Sequence, residues 1–193
     1  MRVFDDIFDK RYLDELIHKL TKTSWCPNNI ANRSTWPYGD KGTHRFLGTT
    51  FFNRHNIDLI EYRDLKLSTE LIDIFYAINR KTEKKLLLQL IEANLQFMGM
   101  DGTNHIDMNN PNDKENEVVY IMMLSDEYIE TDGGGQFINE TVGQEVEFKH
   151  GRVIEMSSTD LHRGLAFNIP YKPRYSLKFL GTENLKLEMR ESI

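Results

Sequence analysis

Cysteine is nearly absent from this chain: Cys26 is the sole one, so no disulfide can close within it and a reducing compartment is expected. Long apolar runs are missing too, and nothing approaches the ~20 residues that span a bilayer as a helix. Acids arrive at Asp5 and Asp6, too early for the apolar stretch of a signal peptide. The expectation is a soluble, cytoplasmic protein with no membrane partner. Positive charge is in deficit, 24 Lys and Arg against 30 Asp and Glu, for a net charge of −6. Surfaces that grip duplex nucleic acid need clustered cations, so a nucleic acid is not the expected partner. The HExxH helix of many catalytic zinc sites is also lacking. No repeat, low-complexity tract or linker divides the sequence.

What is present reads as one domain of 193 residues, with helical support and a loop over 1–85 and a β core over about 86–181. Phe4, Ile7, Phe8, Tyr12, Leu16 and Leu20 recur at helical spacing and predict an amphipathic first helix. From Thr21 to about Asn53 the periodicity fails, and Pro27, Pro37, Gly39 and Gly42 mark loops. Trp25, Trp36, Tyr38, Arg33, Arg45 and His44 are concentrated there, which suits either a binding loop or aromatics packed under a loop. Leu59 to Leu67 predicts a strand, and Ser68 a cap for a helix running through Arg80.

Beyond Lys85 the pattern turns to short strands between turn signals, as in a sandwich or jelly roll. Expected strands are Leu86–Gln89, Ala93–Met100, Val118–Leu124, Gln136–Ile138 after the Gly133-Gly134-Gly135 turn, Leu165–Asn168 and Tyr175–Leu180. A helix through Leu86–Ile91 stays open, because a short apolar run fits either state. Val146–Phe148 and Arg152–Met156 flank His150-Gly151 as an expected hairpin.

Within this half stand four residues with chemistry. His105 and Asp107 are two positions apart, so on a strand they share a face. His162 follows 55 positions after Asp107, far enough to come from another strand. Two imidazoles and one carboxylate on one face of an octahedral ion leave its other positions open, the arrangement of non-haem Fe(II) oxygenases. A catalytic zinc site is the competing metal reading. Arg174 adds a rigid cationic fork suited to a carboxylate. Taken singly, each has a bland reading: a surface or hydrogen-bonded histidine, a turn aspartate after Asp101-Gly102-Thr103-Asn104, one half of a surface ion pair. Their ordered co-occurrence among predicted strands favours the metal site.

The order His-x-Asp, distant His, Arg-x-Ser resembles the Fe(II)/2-oxoglutarate-dependent oxygenases, and within them the prolyl-4-hydroxylase-like branch. The resemblance covers about Gln89 to Gly181, including the Gly133-Gly134-Gly135-Gln136-Phe137 turn and Gly151-Arg152-Val153. It implies a mainly β fold with supporting α, a double-stranded β-helix (a distorted jelly roll) with N-terminal helices packed on one sheet. It implies Fe(II) on His105, Asp107 and His162, with 2-oxoglutarate as co-substrate, its distal carboxylate on Arg174 and the Ser176 hydroxyl as second donor. O₂ would be consumed, ascorbate would serve as reductant, and succinate and CO₂ would leave beside a hydroxylated product. The expected substrate is a prolyl residue of a protein or peptide.

The chain also departs from that pattern. Where such enzymes often carry a tyrosine for the distal carboxylate, Met123 stands, and Tyr120 falls on the opposite strand face by alternation. Upstream of His105, Asn94 and Gln96 replace tyrosines and read as ordinary strand residues. These changes leave a free amino acid or other small metabolite as the alternative substrate. A non-catalytic jelly-roll binding module is the alternative class.

Overall fold

The strand Glu117–Leu124 carries apolar residues on both faces, and two sheets with different coverings result. The computed structural model describes residues 1–29, 46–54, 60–107, 116–125, 128–129 and 132–183. In chain order the elements are β1 (Arg2–Phe4), α1 (Lys10–Leu20), β2 (Cys26–Asn29), β3 (Phe46–Arg54), β4 (Ile60–Tyr62) and α2 (Leu65–Thr82). The β half follows: β5 (Leu86–Gln96), β6 (Glu117–Leu124), β7 (Phe137–Asn139), β8 (Gln144–Val146), β9 (Val153–Ser157), β10 (His162–Gly164) and β11 (Arg174–Glu183). The larger sheet runs β1-β9-β6-β11-β5-β3-β2, with β4 on β3, and the smaller runs β10-β7-β8. Every strand pairing in both is antiparallel.

Both helices cover the outer face of the larger sheet. Leu13, Leu16, Ile17 and Leu20 of α1 and Leu71, Ile74, Phe75 and Ile78 of α2 are buried in one cluster with Ile91, Tyr120, Met122, Leu177 and Phe179. The helix ends are set locally. Asp9 caps α1 by accepting from the Tyr12 N–H at 2.9 Å, and Asp64 caps α2 by accepting from the Leu67 N–H at 3.0 Å. The alternate residues of the same strands, Val119, Ile121 and Met123 of β6 and Leu180 of β11, turn to the space between the sheets. There they meet Phe137, Val146, Phe148 and Phe167. No helix among the described residues is long and apolar enough to cross a membrane.

Several expectations need correction. The first helix starts at Lys10, and Phe4 belongs to β1, which pairs with β9; strand pairing there overrides helical spacing. The strand predicted over Leu59–Leu67 shrinks to β4, because Asp64 caps α2 earlier than Ser68; the Ser68 hydroxyl instead donates to the Phe51 carbonyl at 2.7 Å. Leu86–Gln89 and Ala93–Met100 are one strand, β5, that ends at Gln96, and the helical option for Leu86–Ile91 is excluded. Val146 and Val153 do not form a hairpin: β8 pairs with β7 and β9 with β6, so the two strands enter different sheets. Leu165–Asn168 contributes one isolated bridge, Gly134 to Phe167, and the nearby strand is β10. Within the stretch read as loop, β2 and β3 pair with each other. Trp36, Tyr38, Arg33, Arg45 and His44 lie outside the described residues, as does the tail from 184.

Candidate metal centre and its pocket

The centre forms where the chain after β5 crosses to the smaller sheet. His105 and His162 exchange both backbone hydrogen bonds, at 3.0 and 2.9 Å, in an isolated bridge. Asp107 is held by its N–H to the Ser158 carbonyl at 2.9 Å. The two-residue spacing of His105 and Asp107 therefore does put both on one face, as the sequence predicts. The long-range pairing then seats His162 opposite. Ligating atoms of the three side chains lie within 4.8 Å of one another.

Hydrogen bonding orients each ring. His105 Nδ1 lies 2.8 Å from the Thr103 carbonyl oxygen, and His162 Nδ1 lies 2.7 Å from that of Asp160. A carbonyl can only accept, so each Nδ1 carries a hydrogen and each Nε2 is the ring atom turned to Asp107. Those Nε2 atoms face Asp107, at 3.8 Å from Oδ1 for His105 and 3.2 Å from Oδ2 for His162. Phe137 stacks on His162, with centroids 5.3 Å apart, and closes one side.

The charges follow from burial and neighbours. Burial, with His162 beside it, pushes His105 down to about 4 against the pull of Asp107, so this imidazole is neutral at pH 7. Burial works against the Asp107 carboxylate, but Lys178 and His162 more than offset it and hold the group well below the usual range. Asp107 Oδ2 is buried and has no hydrogen-bond partner among the described residues. His162 Nε2 lies 3.2 Å from this oxygen, close enough for the two atoms to share one cation. The donor set fits a divalent ion: two imidazole nitrogens and one carboxylate oxygen, with no thiolate.

Arg174 reaches the same cavity, of about 60 Å³, from the first position of β11. Its Nη1 donates to Gln96 Oε1 at 2.6 Å and its Nε to the Gly135 carbonyl at 3.1 Å. Nη2 is buried and has no partner among the described residues. Burial, opposed by Asp101, pushes the guanidinium down to about 10, so it stays charged at neutral pH. A buried cationic fork with one donor unused, beside a candidate metal site, has the chemistry to take an anion. Ser176 lies two positions on, buried in the same cavity.

All five residues singled out from the sequence, His105, Asp107, His162, Arg174 and Ser176, line this cavity. Other lining residues were read too blandly or passed over. Asn94 and Gln96 face it, and Gln96 holds Arg174. Lys178 donates to Asp107 Oδ1 at 3.0 Å and pairs with Glu92 Oε2 at 2.6 Å. Burial opposes its charge, but Asp107 and Glu92 together raise the ammonium above its ordinary value. The alternation Arg174, Ser176, Lys178 was the available signal. Glu92 also lines a larger cleft of about 670 Å³, with Thr50, Asn53, Tyr62 and Arg63. Tyr120 is buried on the helix side, hydrogen-bonded to Thr82 at 2.8 Å, and Met123 packs between the sheets. Trp25 donates to the Leu20 carbonyl and packs on Tyr175.

No family model and no curated protein matches the sequence. Solved structures match its fold. An oxidoreductase of the 2OG-Fe(II) oxygenase family from Burkholderia pseudomallei superposes with a TM-score of 0.67 at 15% identity, over 92% of this chain and 82% of that one. The viral collagen prolyl hydroxylase of Paramecium bursaria Chlorella virus-1, in complex with 2OG, gives 0.58 at 14%, over 95% and 96%. A Trichoplax adhaerens prolyl hydroxylase in complex with a hypoxia-inducible-factor peptide gives 0.58 at 14%, over 100% and 86%. At these identities the likeness is one of fold: the chain is a double-stranded β-helix with flanking helices, the architecture of these oxygenases.

Proposed function

We propose that this chain is an Fe(II)- and 2-oxoglutarate-dependent dioxygenase of the prolyl-4-hydroxylase-like branch, and that it hydroxylates a prolyl residue of a protein or peptide. One observation carries the chemistry: the unpartnered Asp107 Oδ2 against two imidazole nitrogens, in one cavity with the unused Nη2 of Arg174. The fold likeness supports the class, and the relative crystallised with a peptide fragment supports a polypeptide substrate.

His105, Asp107 and His162 would hold the iron, and Arg174, with Ser176 beside it, the distal carboxylate of 2-oxoglutarate. When bound, iron and co-substrate supply the oxidising chemistry: O₂ and 2-oxoglutarate are consumed, and hydroxylated product, succinate and CO₂ are formed. The protein groups orient and shield. Phe137 and Ile121 wall the cavity against water, Gln96 and Gly135 aim the Arg174 fork, and the two Nδ1 hydrogen bonds fix the ring tautomers. No side chain has to act as a general base.

The test is succinate formation from 2-oxoglutarate by the Fe(II)-loaded protein under air, followed by NMR. It is run with and without proline-containing peptides, and the peptides are scanned by mass spectrometry for one added oxygen. Peptide-stimulated succinate with oxygen on proline is the expected result. Succinate without a peptide effect would move the substrate to a free amino acid or another small metabolite. Metal binding with no succinate under any condition would make the chain a binding module.

A further inference from the structure

Lys178 and Glu92 touch neither the iron nor the co-substrate in the proposed reaction, yet both are tied to the ligand Asp107. β11 alternates Arg174, Ser176 and Lys178 onto the inner face, and Lys178 stands in register with Glu92 of β5. Glu92 Oε2 holds the ammonium at 2.6 Å, and Lys178 Nζ then reaches Asp107 Oδ1 at 3.0 Å. Lys178 and Asp107 are largely shielded from solvent, with side chains 15% and 5% exposed.

We propose that Lys178 is a positioning residue that makes Asp107 a one-oxygen ligand, keeping Oδ1 off the metal. This rests on the metal-centre reading of the site. Both Asp107 oxygens lie near the centre, Oδ1 at 3.8 Å from His105 Nε2 and Oδ2 at 3.2 Å from His162 Nε2. A carboxylate so placed can chelate through both oxygens, as carboxylates do on larger cations. Lys178 occupies one of the two and leaves the other without a donor.

The count of positions gives this a consequence. A six-coordinate ion with two imidazoles and one oxygen keeps three positions open. A 2-oxo acid chelates through two of them, and the third remains for a further small ligand. Two-oxygen binding by Asp107 would remove that third position. An ammonium beside a divalent ion also carries a repulsive cost, and Glu92 offsets it by making the Lys178–Glu92 pair neutral.

The experiment uses Mn(II) alone as probe. Broadening of its EPR lines in ¹⁷O-enriched water counts exchangeable water ligands on the 193-residue chain. Three waters are expected for the wild type, two for Lys178→Met, and three again for Lys178→Arg, which restores a cationic donor. Lys178→Gln replaces Lys178→Met should the latter not fold, with the same loss of one water expected. Three waters in the neutral variant, or two in Lys178→Arg, would overturn the role of Lys178 and leave the metal centre standing. Failure of the wild type to bind Mn(II) would overturn the metal centre itself, and this role with it.

Discussion

Replacing Arg174 by methionine separates what this residue does for folding from what it does for ligand binding. In the free protein the guanidinium is fully buried with two acceptors, and its fall from 12.5 to about 10 corresponds to roughly 3 kcal/mol against the charged form. Methionine relieves that burden and removes the unused Nη2, but it strips donors from Gln96 Oε1 and the Gly135 carbonyl, at about 1–3 kcal/mol each. The two effects largely cancel, so urea denaturation should show stability within about 3 kcal/mol of wild type. Binding should not cancel. A dicarboxylate whose far end loses its buried charged partner forfeits about 3 kcal/mol, or about 100-fold in Kd. Calorimetric titration of 2-oxoglutarate into the Mn(II)-loaded proteins measures this. A 2-oxo acid lacking the distal carboxylate, such as 2-oxobutyrate, is the control and should bind both proteins alike. Arg174→Lys keeps charge without the fork and should fall between. Wild-type affinity for 2-oxoglutarate in Arg174→Met would refute the assignment of Arg174 as the carboxylate anchor.

Three further outcomes are expected. Asp107→Ala should weaken Mn(II) binding more than about 100-fold while the circular dichroism spectrum stays native, since loss of even an outer partner of a metal ligand costs 10–100-fold; undiminished binding would remove Asp107 from the ligand set. Gly134→Ala should cost about 2–4 kcal/mol in urea denaturation, because the residue has φ +77° and a Cβ there would sit 2.4 Å from the Ala166 carbonyl oxygen. A stable Gly134→Ala protein would show that this turn can relax. At the N-terminal segment, the hydrogen bond from Arg152 outweighs burial and, with Lys149, holds Asp5 down to about 2 from an ordinary 3.8. The stability this gives is present above about pH 4 and is lost as pH falls through 2, and solvent screening keeps it under about 1 kcal/mol. Asp5→Asn should therefore flatten the difference in denaturation midpoint between pH 5 and pH 2.5 by that amount, and an unchanged pH profile would discount the pair.

Sequence alone determined which side chains could serve and which faces they would take. Period-two alternation sorted β6 and β11 correctly: Val119, Ile121 and Met123 turn one way and Tyr120 the other, while Arg174 and Ser176 share the inner face. The pattern His105, Asp107, His162 and Arg174 was legible because its residue types have few other joint uses. Strand partners were not legible. Val146 and Val153 are close in sequence, yet they enter different sheets, and Phe4 leaves a helical pattern to pair with Val153. Local spacing carries no information about a partner 150 residues away, and burial on pairing outweighs helix propensity for so short a segment. The same reason hid Lys178. Its place on the inner face could be counted from Arg174, but Asp107 lies 71 positions earlier and comes within 3.0 Å through the crossing of the chain between sheets. Types and faces are local properties, written in the order of residues. The charge that each side chain meets is a property of tertiary pairing, and it is there that Asp107 of the candidate ligand set meets Lys178.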